Sequence, residues 1–230
     1  IAIRDGFVDY YEAKNWPYSS PNQPPLTILM FSGTSYVWQA VENLSWWANN
    51  RFSIFPSSFI WFWEDKGMLY LVKLPSIVAD LGVSVLIFWY FAQKKKEKTG
   101  LVLMLIWLAN PITWYSSSIW GQTDSIVNFL GLISIIAITR KRLTIALSFF
   151  VASLLFKGSL SLFLPILIFY AFLQKYKVET WIKAVVLSIL VVLLASIWFH
   201  PYWDIFLWLP NLYINRFFPG EIGFLTANAF

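Results

Sequence analysis

Short basic clusters interrupt an otherwise apolar chain, and this pattern limits the possible folds more than any other feature of the sequence. The clusters are Lys94–Lys98, Arg140–Arg142 and Lys175–Lys177. Between the first two clusters, residues 99–139 contain a single charged side chain, Asp124. Between the second and third, residues 143–174 contain only Lys157. Because positive charge concentrated in short loops marks the cytoplasmic side of a membrane protein, we predict that all three clusters are cytoplasmic.

The composition supports a membrane protein and excludes several classes of function. Of the 230 residues, 58% are hydrophobic and 13% are charged, whereas a soluble domain has roughly 25% charged residues. The net charge of +5 lies in the loop clusters, which indicates topology and not nucleic-acid binding. The absence of Cys and the single His argue against thiolate catalysis and against a Cys- or His-ligated metal. The chain also lacks the glycine-rich and zinc motifs that would predict ATP, NAD or metalloprotease chemistry.

The spacing of the clusters predicts helical hairpins. An even number of crossings must fit between the first two clusters, which places a turn at Trp120–Asp124. A single helix over residues 143–174 would be about 48 Å long, too long for a hydrocarbon core of about 30 Å. A second hairpin is therefore predicted, with its turn at Lys157–Ser159. Leu74–Ala92 is predicted to cross inward and Trp181–Phe199 to cross outward.

These assignments predict an all-α fold, a polytopic transmembrane helical bundle with aromatic-rich extracytoplasmic loops. Residues 1–25 form part of one extracytoplasmic loop, residues 26–199 the transmembrane region, and residues 200–230 a second, truncated extracytoplasmic loop. Within the transmembrane region, Leu26–Val41 and Phe52–Trp63 are short and aromatic, and they fit either thin spans or interfacial, re-entrant pieces. The start at Ile1 and the abrupt end in an aromatic stretch are typical of a fragment.

Three ionisable residues are predicted to lie at a similar depth in the membrane. Asp80, Asp124 and Lys157 are each about 21–24 Å of helical rise from the nearest basic cluster. Ionisable side chains at membrane depth are costly and commonly mark a functional cavity. Each residue also has a simpler interpretation: Asp124 as a first-turn acid of a helix, Lys157 as a snorkelling cation, and Asp80 as a partner for a neighbouring helix.

One segment carries the most specific signal in the chain. Residues 110–126 read NPITWYSSSIWGQTDSI, which resembles the NP…S…WGQ.D signature of bacterial and archaeal membrane glycosyltransferases of the GT-C class. The chain also resembles the family of mannosyltransferases that add the first mannose of glycosylphosphatidylinositol anchors. Further segments similar to motifs of these enzymes, in the same order, are Asn22–Leu26, Lys73–Leu81, Leu155–Pro165 and Thr226–Phe230.

The resemblance implies a multi-pass enzyme of the prokaryotic plasma membrane with an extracytoplasmic active site. It implies inverting transfer of a hexose, mannose or glucose, from a polyprenyl-phosphate donor such as dolichyl phosphate mannose to a lipid, glycan or protein acceptor. Such a transfer needs a carboxylate that takes the acceptor's proton and a cation that stabilises the departing phosphate. Lys157 suits the second task, with Gln122, Asp124 and Asp80 as further donor- or phosphate-binding residues.

The catalytic base is less well defined by the sequence. In the related enzymes the key acid lies in the first outer loop, where this chain offers Asp5, Asp9 and Glu12. Asp9 is the candidate base, but Gly6–Tyr11 resembles the portion that follows the catalytic acid, so the alternative is a base upstream of Ile1. Dependence on a divalent metal stays open, since the spacing of Asp5 and Asp9 does not match a paired-acid motif.

Two other functions compete with the transferase. In a lipid-linked-sugar flippase or secondary transporter, the intramembrane Asp and Lys would be coupling or substrate groups. Transporters of that kind show two similar halves, and the sequence shows no such internal symmetry. The third alternative is a non-catalytic assembly subunit that retains the fold without the chemistry.

Overall fold

A computed structural model describes residues 6–8, 10–11, 23–52 and 54–217, with side chains through residue 214. Within these ranges all regular secondary structure is helical and there is no strand, which confirms the predicted all-α class. The α-helices are α1 (Pro25–Arg51), α2 (Ser57–Phe62), α3 (Met68–Ala92), α4 (Glu97–Ala109), α5 (Pro111–Trp114), α6 (Asp124–Thr139), α7 (Leu143–Phe156), α8 (Leu164–Leu173), α9 (Val178–Ser196) and α10 (Ile205–Phe217). π-Helical segments cover Trp63–Gly67 and Tyr115–Trp120, and a 3-10 helix covers Gly158–Phe163.

Among the residues that the structure describes, two helical stretches are long and apolar enough to cross a membrane. The first is Ser57–Ala92, in which α2, the π-helical segment and α3 run on without a break, and the second is α9. The apolar helices α6 and α7 are shorter, with 16 and 14 residues. Both predicted turns coincide with helix boundaries: a helix ends at Trp120 and α6 begins at Asp124, and α7 ends immediately before Lys157.

The N-terminal third differs from the prediction. Leu26–Val41 was expected as a short piece, but α1 continues to Arg51 as a helix of 27 residues. Phe52–Trp63 was also expected to be a separate piece, yet from Ser57 onward it is continuous with α3. The two stretches are joined by a reciprocal pair of hydrogen bonds. Trp38 Nε1 donates to the Trp63 carbonyl and Trp63 Nε1 donates to the Trp38 carbonyl, each at 3.0 Å. This reciprocal pair depends on tertiary contact and leaves no signal in local hydrophobic periodicity.

The core is formed by close packing of α6, α7, α8 and α9. Small residues occupy its tightest points, with Ala146, Ala171 and Ala184 fully buried. Ser134 of α6 donates its hydroxyl proton to the carbonyl of Ala146 at 2.8 Å and ties the α6–α7 pair together. Small side chains let helix backbones approach closely, and serine satisfies its own polarity on a neighbouring carbonyl.

The three basic clusters lie at one end of the helices, which we call the basic end. The guanidinium of Arg140 lies 4.2 Å from the ring centroid of Trp89, so the C-terminal ends of α3 and α6 are adjacent. Tyr176, in the third cluster, packs against the core that contains Ile138. The opposite end, which we call the site end, contains the turns at Gly121–Asp124 and at Lys157. The grouping agrees with the prediction that the clusters share one side.

Each basic turn places a lysine in the left-handed region of backbone conformation. Lys95, Lys141 and Lys175 have φ angles of 56°, 59° and 51°. The second turn is a Schellman motif, in which the Arg142 N–H donates to the Ala137 carbonyl at 2.9 Å. Glycine is the usual residue at this position because an L side chain is strained there. The chain therefore keeps positive charge at the basic end at a cost in backbone strain.

The strain makes a measurable prediction. Replacing Lys141 by glycine is expected to raise the free energy of unfolding by about 1 kcal/mol, because glycine adopts this φ without strain. Lys183 lies inside α9 and is exposed, so Lys183→Gly is the matched control and is expected to lose about 1 kcal/mol. Denaturant titration in mixed micelles measures both. A loss of stability in Lys141→Gly would contradict the assignment of strain to this turn.

Candidate functional site

The site is centred on an ion pair between two helix ends. Lys157 Nζ donates to Asp124 Oδ1 at 2.6 Å, and the two side chains are 32% and 34% exposed. Residues 33 positions apart are thus brought into contact by the α6–α7 hairpin. The structure confirms the simpler interpretation of Asp124 as a first-turn acid of α6, where the helix dipole favours negative charge. The same carboxylate also holds the Lys157 ammonium at that helix terminus.

The position of Lys157 follows from how α7 ends. Lys157 adopts an extended conformation with φ of −161°, and Gly158 then begins the 3-10 helix. The last carbonyls of α7 lack partners within the helix, and other elements supply them. Thr27 of α1 donates to the Phe156 carbonyl, and Tyr213 of α10 donates to the Leu154 carbonyl, each at 2.6 Å. Lys157 therefore projects from a helix end that is anchored from two sides.

Gln122 belongs to the turn that leads into α6. Its N–H donates to the Ser116 carbonyl at 2.9 Å, and its carbonyl accepts from the hydroxyl of Ser76 on α3 at 2.7 Å. Gly121, just before it, has a φ of +77°, and an added Cβ would lie 3.2 Å from Cγ of Lys73. The backbone of this turn is thus fixed on both sides, and Gln122 is half-buried.

The turn depends on glycine for two reasons, conformation and contact. Gly121→Ala is expected to destabilise the protein by about 1–2 kcal/mol, since alanine is strained at this φ and its methyl group displaces the Lys73 stem. Gly33 on α1 is the matched control, because a Cβ there meets nothing within 4 Å. Gly33→Ala is expected to gain about 0.5–1 kcal/mol in a helix interior. Thermal unfolding of both variants in detergent measures the difference, and equal effects would contradict it.

Asp80 is not part of the ion pair. It follows Ser76 by one turn of α3, on the side toward the basic end, and is 6% exposed. Neither of its carboxylate oxygens has a hydrogen-bond partner in the described part of the chain. The structure thus brings together Lys157 and Asp124, with Gln122 in the adjoining turn. Asp80 forms no hydrogen bond or ion pair with these residues.

An apolar groove of about 640 Å³ lies along α6, and neither Asp124 nor Lys157 is among the residues that line it. It is lined by residues of α3, α4, α6, α7, α8 and the 3-10 helix. Asn128, four residues after Asp124, and Leu160, three residues after Lys157, both line it. Thr139 and Tyr170 line it near the basic end, so the groove extends along most of α6. An anionic head group at the pair and a long apolar tail in the groove would fit this arrangement.

An aromatic cluster lies at the end of α9. Phe199 is buried, and its ring meets the rings of Phe7, Tyr10 and Tyr11 at centroid distances of 5.4, 5.9 and 5.3 Å. His200 is also buried, and its Nε2 lies 2.8 Å from Asp204 Oδ1. Phe7, Tyr10 and Tyr11 thus pack near the C-terminus of α9. Asp9 itself, with Asp5 and Glu12, lies outside the described residues.

Sequence reasoning missed several side chains that shape the site. Lys73, Ser76 and Asp80 have the spacing i, i+3 and i+7, which places them on one face of α3. That polar spacing in an apolar helix was a readable signal, but only Asp80 was selected from it. Thr27 had no such signal, because its role depends on a carbonyl 129 positions away.

In the described ranges no three His, Asp or Glu side chains cluster in a way that could hold a metal ion. Comparison with protein-family models, with curated proteins and with solved structures gives no match to the chain. The resemblance to GT-C enzymes therefore stays a prediction, and the function has to be argued from the site.

Proposed function

We propose that the chain belongs to a membrane glycosyltransferase that moves a hexose, mannose or glucose, from a polyprenyl-phosphate donor to an acceptor with inversion. The observation that carries the proposal is the Lys157–Asp124 pair, each member of which lies about one helical turn in sequence from a residue that lines the apolar groove, Leu160 and Asn128. A lysine held at a helix N-terminus suits a phosphate, and a long apolar groove suits an isoprenoid chain. One amphiphilic ligand satisfies both features, and a water-soluble sugar nucleotide does not.

The proposed orientation is that of a multi-pass protein in a prokaryotic plasma membrane, with the basic end in the cytoplasm. Two long apolar helices and the lysine-rich turns support this orientation. With Arg140 at the cytoplasmic boundary, the 16 residues of α6 rise about 24 Å and bring Asp124 into the outer part of a core about 30 Å thick. The site then opens toward the extracytoplasmic side, where polyprenyl-linked sugars and their acceptors would meet.

The chemistry assigns one role to each group. The acceptor oxygen attacks the anomeric carbon from the face opposite the phosphate, the new carbon–oxygen bond forms as the bond to the phosphate oxygen breaks, and configuration inverts. Lys157 stabilises the negative charge that develops on the departing polyprenyl phosphate. Asp124 orients Lys157 and leaves two of its three donors for phosphate oxygens. A carboxylate takes the acceptor's proton, and Asp9 is the candidate for it in this chain.

The principal alternative, a lipid-linked-sugar flippase or secondary transporter, would use the same amphiphilic ligand. The two functions differ in products, because only the transferase releases free polyprenyl phosphate and a new glycoside. The test uses purified protein in nanodiscs, a panel of polyprenyl-phosphate hexoses and lipid extracts from several sources as acceptors. Release of polyprenyl phosphate that depends on the extract supports the transferase. Movement of the donor across sealed vesicles without its consumption would replace this proposal with the flippase.

A further inference from the structure

A second lysine lies beside the turn that leads to the ion pair. Lys73 of α3 is half-buried, and its stem lies across Gly121. Its Cγ, Cε and Cδ atoms are 3.2, 3.7 and 4.0 Å from the position that a Cβ on Gly121 would take. Gly121 precedes Asp124 by three residues. Because glycine has no side chain, the lysine stem packs directly against the backbone of this turn.

The same turn is tied to α3 one helical turn further along. Ser76 shares a helix face with Lys73 and donates its hydroxyl proton to the Gln122 carbonyl at 2.7 Å. Lys73 lies about 28 Å of helical rise from the end of α3 at Ala92, and Asp124 lies about 24 Å from the end of α6. Both residues are thus at a similar distance from the basic end. Lys73 and the ion pair therefore adjoin one turn.

The charge of Lys73 is not balanced within the described part of the chain. No ion pair or hydrogen bond there includes its ammonium group. Asp80 is the next acid along this face of α3, and it lies about 10 Å of helical rise away. Lys157, by contrast, is already paired with Asp124. In the proposed orientation Lys73 is near the outer edge of the hydrocarbon core, where an unpaired ammonium is costly. An anionic ligand at this turn would remove that cost.

We propose that Lys73 is a second phosphate-binding residue of the donor site and binds the polyprenyl phosphate together with Lys157. This inference rests on the proposed transferase function. When the bond to the sugar breaks, the phosphate changes from a diester with one negative charge to a monoester with up to about two. Lys157 shares its charge with Asp124, so it balances only part of the charge that develops. A lysine ammonium binds phosphate as a point charge, and Lys73 supplies the second one.

The test measures equilibrium binding of a radiolabelled short-chain polyprenyl phosphate, and of the polyprenol of the same length, to the purified protein in nanodiscs of neutral lipid. Lys73→Met keeps most of the stem that covers Gly121 and removes the charge. It is expected to weaken binding of the phosphate about tenfold, the usual effect of losing a hydrogen bond from a charged group. Binding of the uncharged polyprenol is expected to stay the same. Lys73→Arg keeps the charge and is expected to retain most of the affinity for the phosphate.

Lys66→Met is the matched control, since Lys66 is an exposed lysine on the same continuous helix. It is expected to bind both ligands as the wild type does. Unchanged phosphate binding in Lys73→Met, with a loss in Lys157→Met, would overturn this inference and leave the proposed function standing. Equal losses for the phosphate and the polyprenol would mean that Lys73 only supports the turn, and would also overturn it. If the wild type bound the phosphate no more tightly than the polyprenol, the phosphate site of the proposed function would itself fail.

Discussion

Lys157→Met is expected to lower kcat/KM for a polyprenyl-phosphate hexose by about 100- to 1000-fold. Methionine keeps the length and apolar stem of lysine but removes the charge that stabilises the departing phosphate, an effect worth about 3–4 kcal/mol in other anion-stabilising sites. Stability is expected to change by less than about 1 kcal/mol, because both partners of the ion pair are about one-third exposed. Initial rates of polyprenyl phosphate release, with thermal unfolding in parallel, measure the two effects separately.

The matched control for this variant is Lys183→Met. Lys183 also forms an ion pair, with Glu179 at 2.5 Å, but it lies on α9 outside the candidate site. Lys183→Met is expected to change kcat/KM less than about twofold, since exposed pairs contribute little.

Two further variants test the ion pair itself. Lys157→Arg is expected to keep part of the activity that Lys157→Met loses. Asp124→Asn is expected to lower kcat/KM about tenfold, because it releases the Lys157 ammonium from its position. If Lys157→Met retained wild-type activity, Lys157 would not be the phosphate-binding cation.

The long-range features that sequence predicted correctly were those set by charge and hydrophobic length. Two basic clusters with a nearly uncharged stretch between them predict a break between helices in that stretch, and helix boundaries do lie at Asp124 and at Lys157. Once both turns lay at the end opposite the basic clusters, the meeting of these two side chains was a direct geometric consequence. The structure supports that reasoning with a 2.6 Å contact.

The features that escaped prediction depend on tertiary contacts without a local pattern. Trp38 and Trp63 bond to each other across two helical stretches that the sequence presents as unrelated short pieces. The sequence also could not predict that the Asp80 carboxylate lacks hydrogen-bond partners among the described residues. The hydroxyls one turn before and after it, on Ser76 and Ser84, donate to the Gln122 and Leu81 carbonyls instead. Spacing predicts which residues share a helix face, whereas the direction of each hydroxyl is decided by the neighbouring carbonyls.

Filling the apolar groove is the second change expected to have a large effect. Ile135 lines the groove on α6, about 16 Å of helical rise from Asp124, and is 56% exposed. Ile135→Trp would place an indole ring where the isoprenoid chain is proposed to lie. We expect KM for a long-chain donor to rise at least about tenfold, a loss of about 1.4 kcal/mol of binding. For a donor analogue whose tail is too short to reach Ile135, the KM of the variant is expected to equal that of the wild type.

The dependence on tail length is what separates groove blocking from general damage. Ile182→Trp on α9 is the matched control, because Ile182 is 58% exposed and does not line the groove. It introduces the same ring on an equally exposed apolar surface and is expected to leave KM for both donors within about twofold, as surface substitutions usually have small effects. Equal losses for long and short donors in Ile135→Trp would mean that the ring perturbs α6 and not the tail. An unchanged KM for the long donor would place the isoprenoid chain outside the groove, and the ion pair alone would then have to account for donor binding.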